Sequence, residues 1–296
     1  MMRSLYSGIS GLKNHQTRMD VIGNNIANVN TAGFKASRTI FQDIYSQTSR
    51  SAAAPVVGGA GGTNPMQIGL GVKLATIDVL HTPAAIQRTD RELDAMIEGD
   101  GFFAVSETAD AVGDTAIYYT RAGNFYLDSD GNLVTASGMY VRGVMGDGSV
   151  VDIPDGEIDE ASLGTIIITP GTYSSIAIDP SGVIQGIDAA TGAKVQIAAI
   201  AVATFINPSG LEKMGDSLYA ATPNSGAVGG DPTAPMYYQA GTNGAGKINP
   251  GGLEMSNVDI ATEFTDMIVT QRGFQANSRI ITVSDTLLEE LVNLKR

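Results

Sequence analysis

The chain has no cysteine, no tryptophan and two histidines among its 296 residues, and only 17% of it is charged. Without cysteine there can be no disulfide, thiolate metal site or cysteine nucleophile. His15 falls in a helical stretch with no evident partner, and His81 precedes Thr82 and Pro83; both are expected to be surface or packing residues. Nothing matches a Ser-His-Asp order, a nucleophile elbow, a zinc motif or a dinucleotide loop. The glycine-rich stretch at 58–62 has no Lys-Ser/Thr after it, which excludes a phosphate loop. The Asp128-Ser129-Asp130-Gly131 turn has its glycine too early for an EF-hand. No catalytic, cofactor-binding or metal-binding residue is therefore expected, and no cofactor. No run approaches the ~20 apolar residues of a membrane span, so no membrane insertion is expected. The opening residues lack a secretory signal pattern, so any export is expected to proceed without a cleaved signal peptide. A net charge of −13 argues against nucleic acid and anionic membrane surfaces as partners.

What the chain does contain is concentrated at its ends. Ile260, Met267, Phe274, Ile281 and Leu288 recur every seven residues, with Phe264, Ile268, Ile280, Leu287, Leu291 and Leu294 beside them. The pattern predicts one long amphipathic helix over 256–294. Ser256 is its expected N-cap, with Asp259 completing a variant of the capping box. Lys295 and Arg296 suit its C-terminal dipole. At the other end Leu5, Leu12, Met19 and Ile26 repeat the same period. Met2, Ile9 and Gln16 are expected as the second line of that seam, and Gly33 as the stop. Two such helices cover only one seam each and leave Ile22, Val29 and Ile280 unmatched, so assembly with further copies is expected.

Between the ends the periodicity changes to two. The expected divisions are an N-terminal helix over 1–34, an extended arm over 35–72, a β-rich body over 73–235, a return arm over 236–253 and a C-terminal helix over 254–296. Within the body, 118–127 and 132–141 flank a hairpin turn, Asp179-Pro180-Ser181-Gly182 forms a second turn, and the apolar run 195–205 reads as a central strand. The fold class is α+β: paired terminal helices with an inserted, mainly antiparallel β domain and extended connections. Acidic residues between Asp90 and Glu160 suit a solvated surface.

Asn24-Asn25-Ile26-Ala27-Asn28 followed by Thr31, Gly33, Phe34 and Lys35 resembles the N-terminal signature of the bacterial flagellar axial proteins, the rod and hook family. The stretch Leu253-Glu254-Met255-Ser256-Asn257-Val258-Asp259, and then Arg272-Gly273-Phe274-Gln275-Ala276-Asn277-Ser278, resembles that family's C-terminal helix. Gly99-Asp100-Gly101-Phe102-Phe103 and Tyr119-Thr120-Arg121-Ala122-Gly123-Asn124-Phe125 extend the likeness into the body. The resemblance implies a non-enzymatic, self-assembling subunit of the flagellar hook, a curved tube that passes torque from rod to filament. It implies a homopolymer that meets the distal rod protein, the hook cap protein, the hook–filament junction protein and the flagellar export apparatus. It further implies an inner tube of helices, an outer β layer and an arm ordered by neighbouring subunits. A distal rod protein is the alternative within the family; there Ala-Tyr more often replaces Gly273-Phe274. From another class, an enzyme or ligand-binding β domain with coiled-coil ends is the competing reading. The lysine–cysteine cross-link found in some hook subunits cannot form without cysteine.

Overall fold

A computed structural model describes residues 2–55, 61–109, 117–146, 153, 156–159, 162–226 and 236–294. Of the sequence features above, Gly58, Gly59, Ala60, Glu160, Lys295 and Arg296 lie outside the described residues. The chain divides into two compact units, one made of Met1–Ala27, Ser37–Leu80 and Val258–Arg296, the other of Asn28–Ala36 and His81–Asn257.

The first unit holds the two helices, α1 (Met2–Ala27) and α2 (Ile260–Asn293). At ~1.5 Å per residue α2 runs about 50 Å. The helices pack antiparallel. Going up α1 and down α2, Gly8 faces Ile281, Gly11 faces Asn277, His15 faces Gly273, Arg18 pairs with Asp266 at 2.9 Å, and Asn25 donates to Glu263 at 3.0 Å. Helix α1 stops at Ala27, short of Gly33. Helix α2 starts later than Ser256, because Asp259 is the N-cap: its carboxylate accepts from the Ala261 amide at 3.0 Å and from the Thr262 hydroxyl at 2.7 Å. These two bonds hold the Asp259 carboxyl below its ordinary range.

The rest of this unit is a two-stranded antiparallel ribbon. Ser37–Asp43 pairs with Val72–Val79, Ser46–Arg50 with Met66–Gly69, and Ala53 bridges Thr63. The segment expected as an extended arm thus forms strands, Ser46–Arg50 pairing within it and Ser37–Asp43 pairing with a strand that begins at its expected end, 72/73. The ribbon lies against α1, where Asn14 donates to the Val72 carbonyl at 2.8 Å.

The second unit is antiparallel β structure. Its main sheet runs Glu157–Ile158, Met236–Gln239, Lys194–Thr204, Tyr140–Met145, Phe102–Ser106, Ile117–Thr120, Leu218–Ala220, Glu212–Gly215. Both faces of its centre are covered. Along Phe102–Ser106 alternate residues enter two cores, Phe103 and Val105 joining Phe125, Leu133 and Ile200, while Phe102 and Ala104 join Tyr119, Phe205 and Tyr237. A strand buried on both sides reads as an unbroken apolar run, as Lys194–Thr204 does after its first residues. The hairpin turn before Asn132 closes with the Gly131 amide donating to the Asp128 carbonyl, and the turn at 179–182 with Gly182 donating to Asp179. The segment expected as a return arm also belongs to this unit. Met236–Gln239 joins the main sheet, Lys247–Pro250 pairs with Ala95–Glu98, and Gly252–Glu254 pairs with Ile86–Arg88. Tyr237, Tyr238 and Ile248 are buried in it, which outweighs the glycine-rich composition between them.

Candidate functional site

Within the chain, the residues expected at the seam differ in how far the two helices cover them. Leu5, Leu12, Met19 and Ile26 on α1, and Met267, Ile281 and Leu288 on α2, are partly covered. The second line on α1 differs from the expected Met2, Ile9 and Gln16. It is Gly8, His15 and Ile22, one residue earlier, and Ile22 is buried while Ile9 is 52% exposed. The reason is steric. A Cβ on Gly273 would stand 2.7 Å from the His15 ring, and one on Gly11 would strike the Asn277 amide, so the helices meet where side chains are absent. Opposite this line, α2 presents Glu263, Thr270, Asn277 and Ser284, with Thr270 and Ser284 buried. The pairing face of α2 is therefore half polar.

The apolar residues left over point elsewhere. Ile260, Phe264, Ile268, Phe274, Ile280, Val283, Leu287 and Leu291 are all exposed, Phe264 at 50% and Ile268 at 58%. With Tyr6 and Ile9 on α1 they form apolar surface not covered by the ribbon or the other helix.

The signature residues divide between the units. In the first, Asn25 is buried and fixes the ribbon: its amide donates to the Ser37 carbonyl at 2.9 Å and its oxygen accepts from the Ser37 amide at 3.0 Å. Asn24 is exposed. In the second unit the Thr31 hydroxyl donates to the Asn28 side chain at 3.1 Å, and Gly33 takes a φ of +70°. Its Cβ position is blocked by the Ala122 amide nitrogen at 2.7 Å, so glycine is required for both reasons. Its amide donates to the Glu254 carbonyl at 2.8 Å. Phe34 lies under the Lys213 ammonium at 4.7 Å.

Lys35 leads to a centre that composition and spacing do not disclose. Its ammonium, fully buried, lies 2.7 Å from the Glu254 carboxylate, also fully buried, and donates to the Thr82 carbonyl at 2.7 Å. Burial holds the Lys35 amine below the usual lysine range, and Glu254 offsets part of that. The same carboxylate accepts from the Ala84 amide at 3.1 Å and faces Arg121 at 3.5 Å. Arg121 donates to the Gly99 carbonyl at 2.9 Å and stacks its guanidinium on Phe102. Asn257 joins through the Ala36 amide at 2.7 Å and the Thr82 hydroxyl at 2.9 Å. The sequence stretches that carried the resemblance, 31–35, 99–103, 119–125 and 253–257, thus converge on one carboxylate. The signal for Glu254 and Arg121 was their place in those stretches; nothing in their residue types marks them.

Three family models match the chain. Residues 5–35 match "Flagella basal body rod protein", 96–186 match "Flagellar hook protein FlgE/F/G D1 domain", and 249–294 match "Flagellar basal body rod FlgEFG protein C-terminal". Over the whole of both chains it is 49% identical to the flagellar basal-body rod protein FlgG of Bacillus subtilis. The chain belongs to the flagellar FlgE/F/G family of hook and rod proteins. Two further members come from one organism, Borreliella burgdorferi. Its flagellar hook protein FlgE and its flagellar basal-body rod protein FlgG are each 34% identical to the chain, again over the whole of both. The alignment with that FlgE runs over 456 positions against the 296 residues here, so the hook protein carries long stretches without a counterpart. Membership places the chain among the structural components of the flagellar hook and basal body. The family models for the two ends cover α1 with the Asn28–Lys35 loop, and Glu254 with α2.

Proposed function

We propose that the chain is a self-assembling subunit of the flagellar axial tube, and within it of the hook. The observation that carries the first part is the exposed apolar surface of α2. Fully burying one such side chain is worth about 1.5–3 kcal/mol. Eight such side chains, in one patch near the start of α2 and another on the opposite side of its second half, are stable in a structure where other copies cover them, and a polymer of this chain supplies those copies. Residues Leu5, Leu12, Met19 and Ile26, with Ile260, Phe264, Met267, Phe274, Ile281 and Leu288, are then the seams of an inner helical layer. The family resemblance implies an outer layer of β structure. Packed helices resist torsion, and the polar outer surface allows contacts to change as the tube bends. The ends of such a tube meet the other components that the family resemblance implies.

The choice of hook rests on Gly273-Phe274. Glycine at 273 lets His15 approach α2, which gives the residue a packing role in this chain. A second reading, the distal rod, is favoured by the 49% identity to a protein named FlgG. Against it, FlgG of Borreliella burgdorferi is no more similar to the chain than that organism's hook protein. Electron microscopy of polymers grown from the purified chain separates the readings. Curved tubes are expected; straight ones assign the chain to the rod, and a chain that stays monomeric at high concentration overturns the axial reading.

A further inference from the structure

His81 lies beside the Lys35–Glu254–Arg121 centre. Its ring packs edge-on against Phe102 at 5.5 Å and Tyr219 at 5.6 Å between centroids. Both ring nitrogens are shut off from solvent and lack a close hydrogen-bond partner among the described residues, although the Pro208 carbonyl faces the ring. The charged groups that act on it are Arg121, Lys35 and Lys213, all cations. The centre already holds two buried cations, Lys35 and Arg121, against the one carboxylate of Glu254. A proton on His81 would add a further positive charge between two aromatic rings, with the neutral Pro208 carbonyl rather than a carboxylate facing it.

We infer that His81 is an acid-sensitive trigger: its protonation forces the centre apart and opens the β unit. The aromatic cage and the cations hold the imidazole neutral in the folded state, its pKa lowered to about 4 from 6.5, by burial first and then by Arg121, Lys35 and Lys213. The sign follows. The unfolded chain takes up the proton as pH falls below about 6.5, while the folded chain refuses it until about pH 4. Stability from this group is complete above pH 6.5 and is lost on the way down to 4. The inference does not depend on whether the tube is hook or rod.

The test is equilibrium unfolding of the full chain by denaturant between pH 7 and pH 4, for wild type and H81F, followed by tyrosine fluorescence. Phenylalanine keeps the aromatic packing and removes the titration, and the carboxylates common to both chains cancel in the comparison. The wild-type unfolding constant is expected to rise about a hundredfold more than that of H81F over this span. Parallel pH profiles overturn the inference. If H81F does not fold, the imidazole proton signals of the wild-type chain decide, with H15Q used to assign them. A His81 midpoint well below 6 supports the trigger, and one at 6.5 or above overturns it.

Discussion

Glu254 is one carboxylate between two buried cations, and that arithmetic makes its neighbours unequal. Buried ion pairs contribute little net stability, but removing one partner leaves a charge without compensation. Glu254→Gln leaves Lys35 without its ion-pair partner and Arg121 with only the exposed Asp100 acting on it, and is expected to cost about 3–5 kcal/mol. Lys35→Met leaves the Arg121–Glu254 pair balanced and is expected to cost clearly less. Denaturant unfolding of both variants at pH 7 measures the difference, and equal losses would show that hydrogen-bond count, not charge balance, holds the centre. Gly33→Ala should also destabilise the second unit, since the position has φ +70° and abuts the Ala122 backbone. A thermal midpoint unchanged from wild type would contradict that account. Single residues of this kind were poorly legible beforehand. Lys35 stood out only as part of a motif, and His81 was expected to be a bland packing residue because cage and cations come from segments far apart in the chain.

Elements were more legible than their partners. The seven-residue period located both helices, because a helix must show one apolar face. The period leaves open which of two adjacent lines faces the other helix, since Gly8–His15–Ile22 and Met2–Ile9–Gln16 both stand three and four residues from Leu5, Leu12 and Met19. The structure selects the line with glycine, where backbones can approach. Gly11→Leu is accordingly expected to push α1 from Asn277 and to abolish polymer formation, scored by sedimentation, with the β-sheet signal in circular dichroism unchanged. Normal polymers from this variant would refute the close approach. Asp259→Ala removes the acceptor for the Ala261 amide. Faster hydrogen exchange at Ala261 and Thr262 is expected, and none deeper in α2. Of the ribbon over 37–79, the strand Val72–Val79 falls in the expected β body, while Ser46–Arg50 escaped sequence reasoning because it is polar and exposed throughout, so no apolar alternation marks it.

For the whole molecule, the exposed apolar surface of α2 is where copies are expected to meet. Leu287→Asp and Phe274→Asp should each prevent polymerisation while the β unit melts as in wild type; calorimetry and electron microscopy of the same samples check both halves. Fibres that form normally would remove that surface from the interface. The sequence alone determined the α+β class, the helices at both ends, the hairpins and central strand of the body, and the family, because local periodicity, turn chemistry and contiguous motifs are written along the chain. Only the tertiary structure decided that both arms fold back into strands, which helix line packs, and that four distant stretches close on Glu254. Those depend on steric fit and charge balance between distant segments, such as those of Arg18 and Asp266, 248 residues apart, and neither is a property of any single segment.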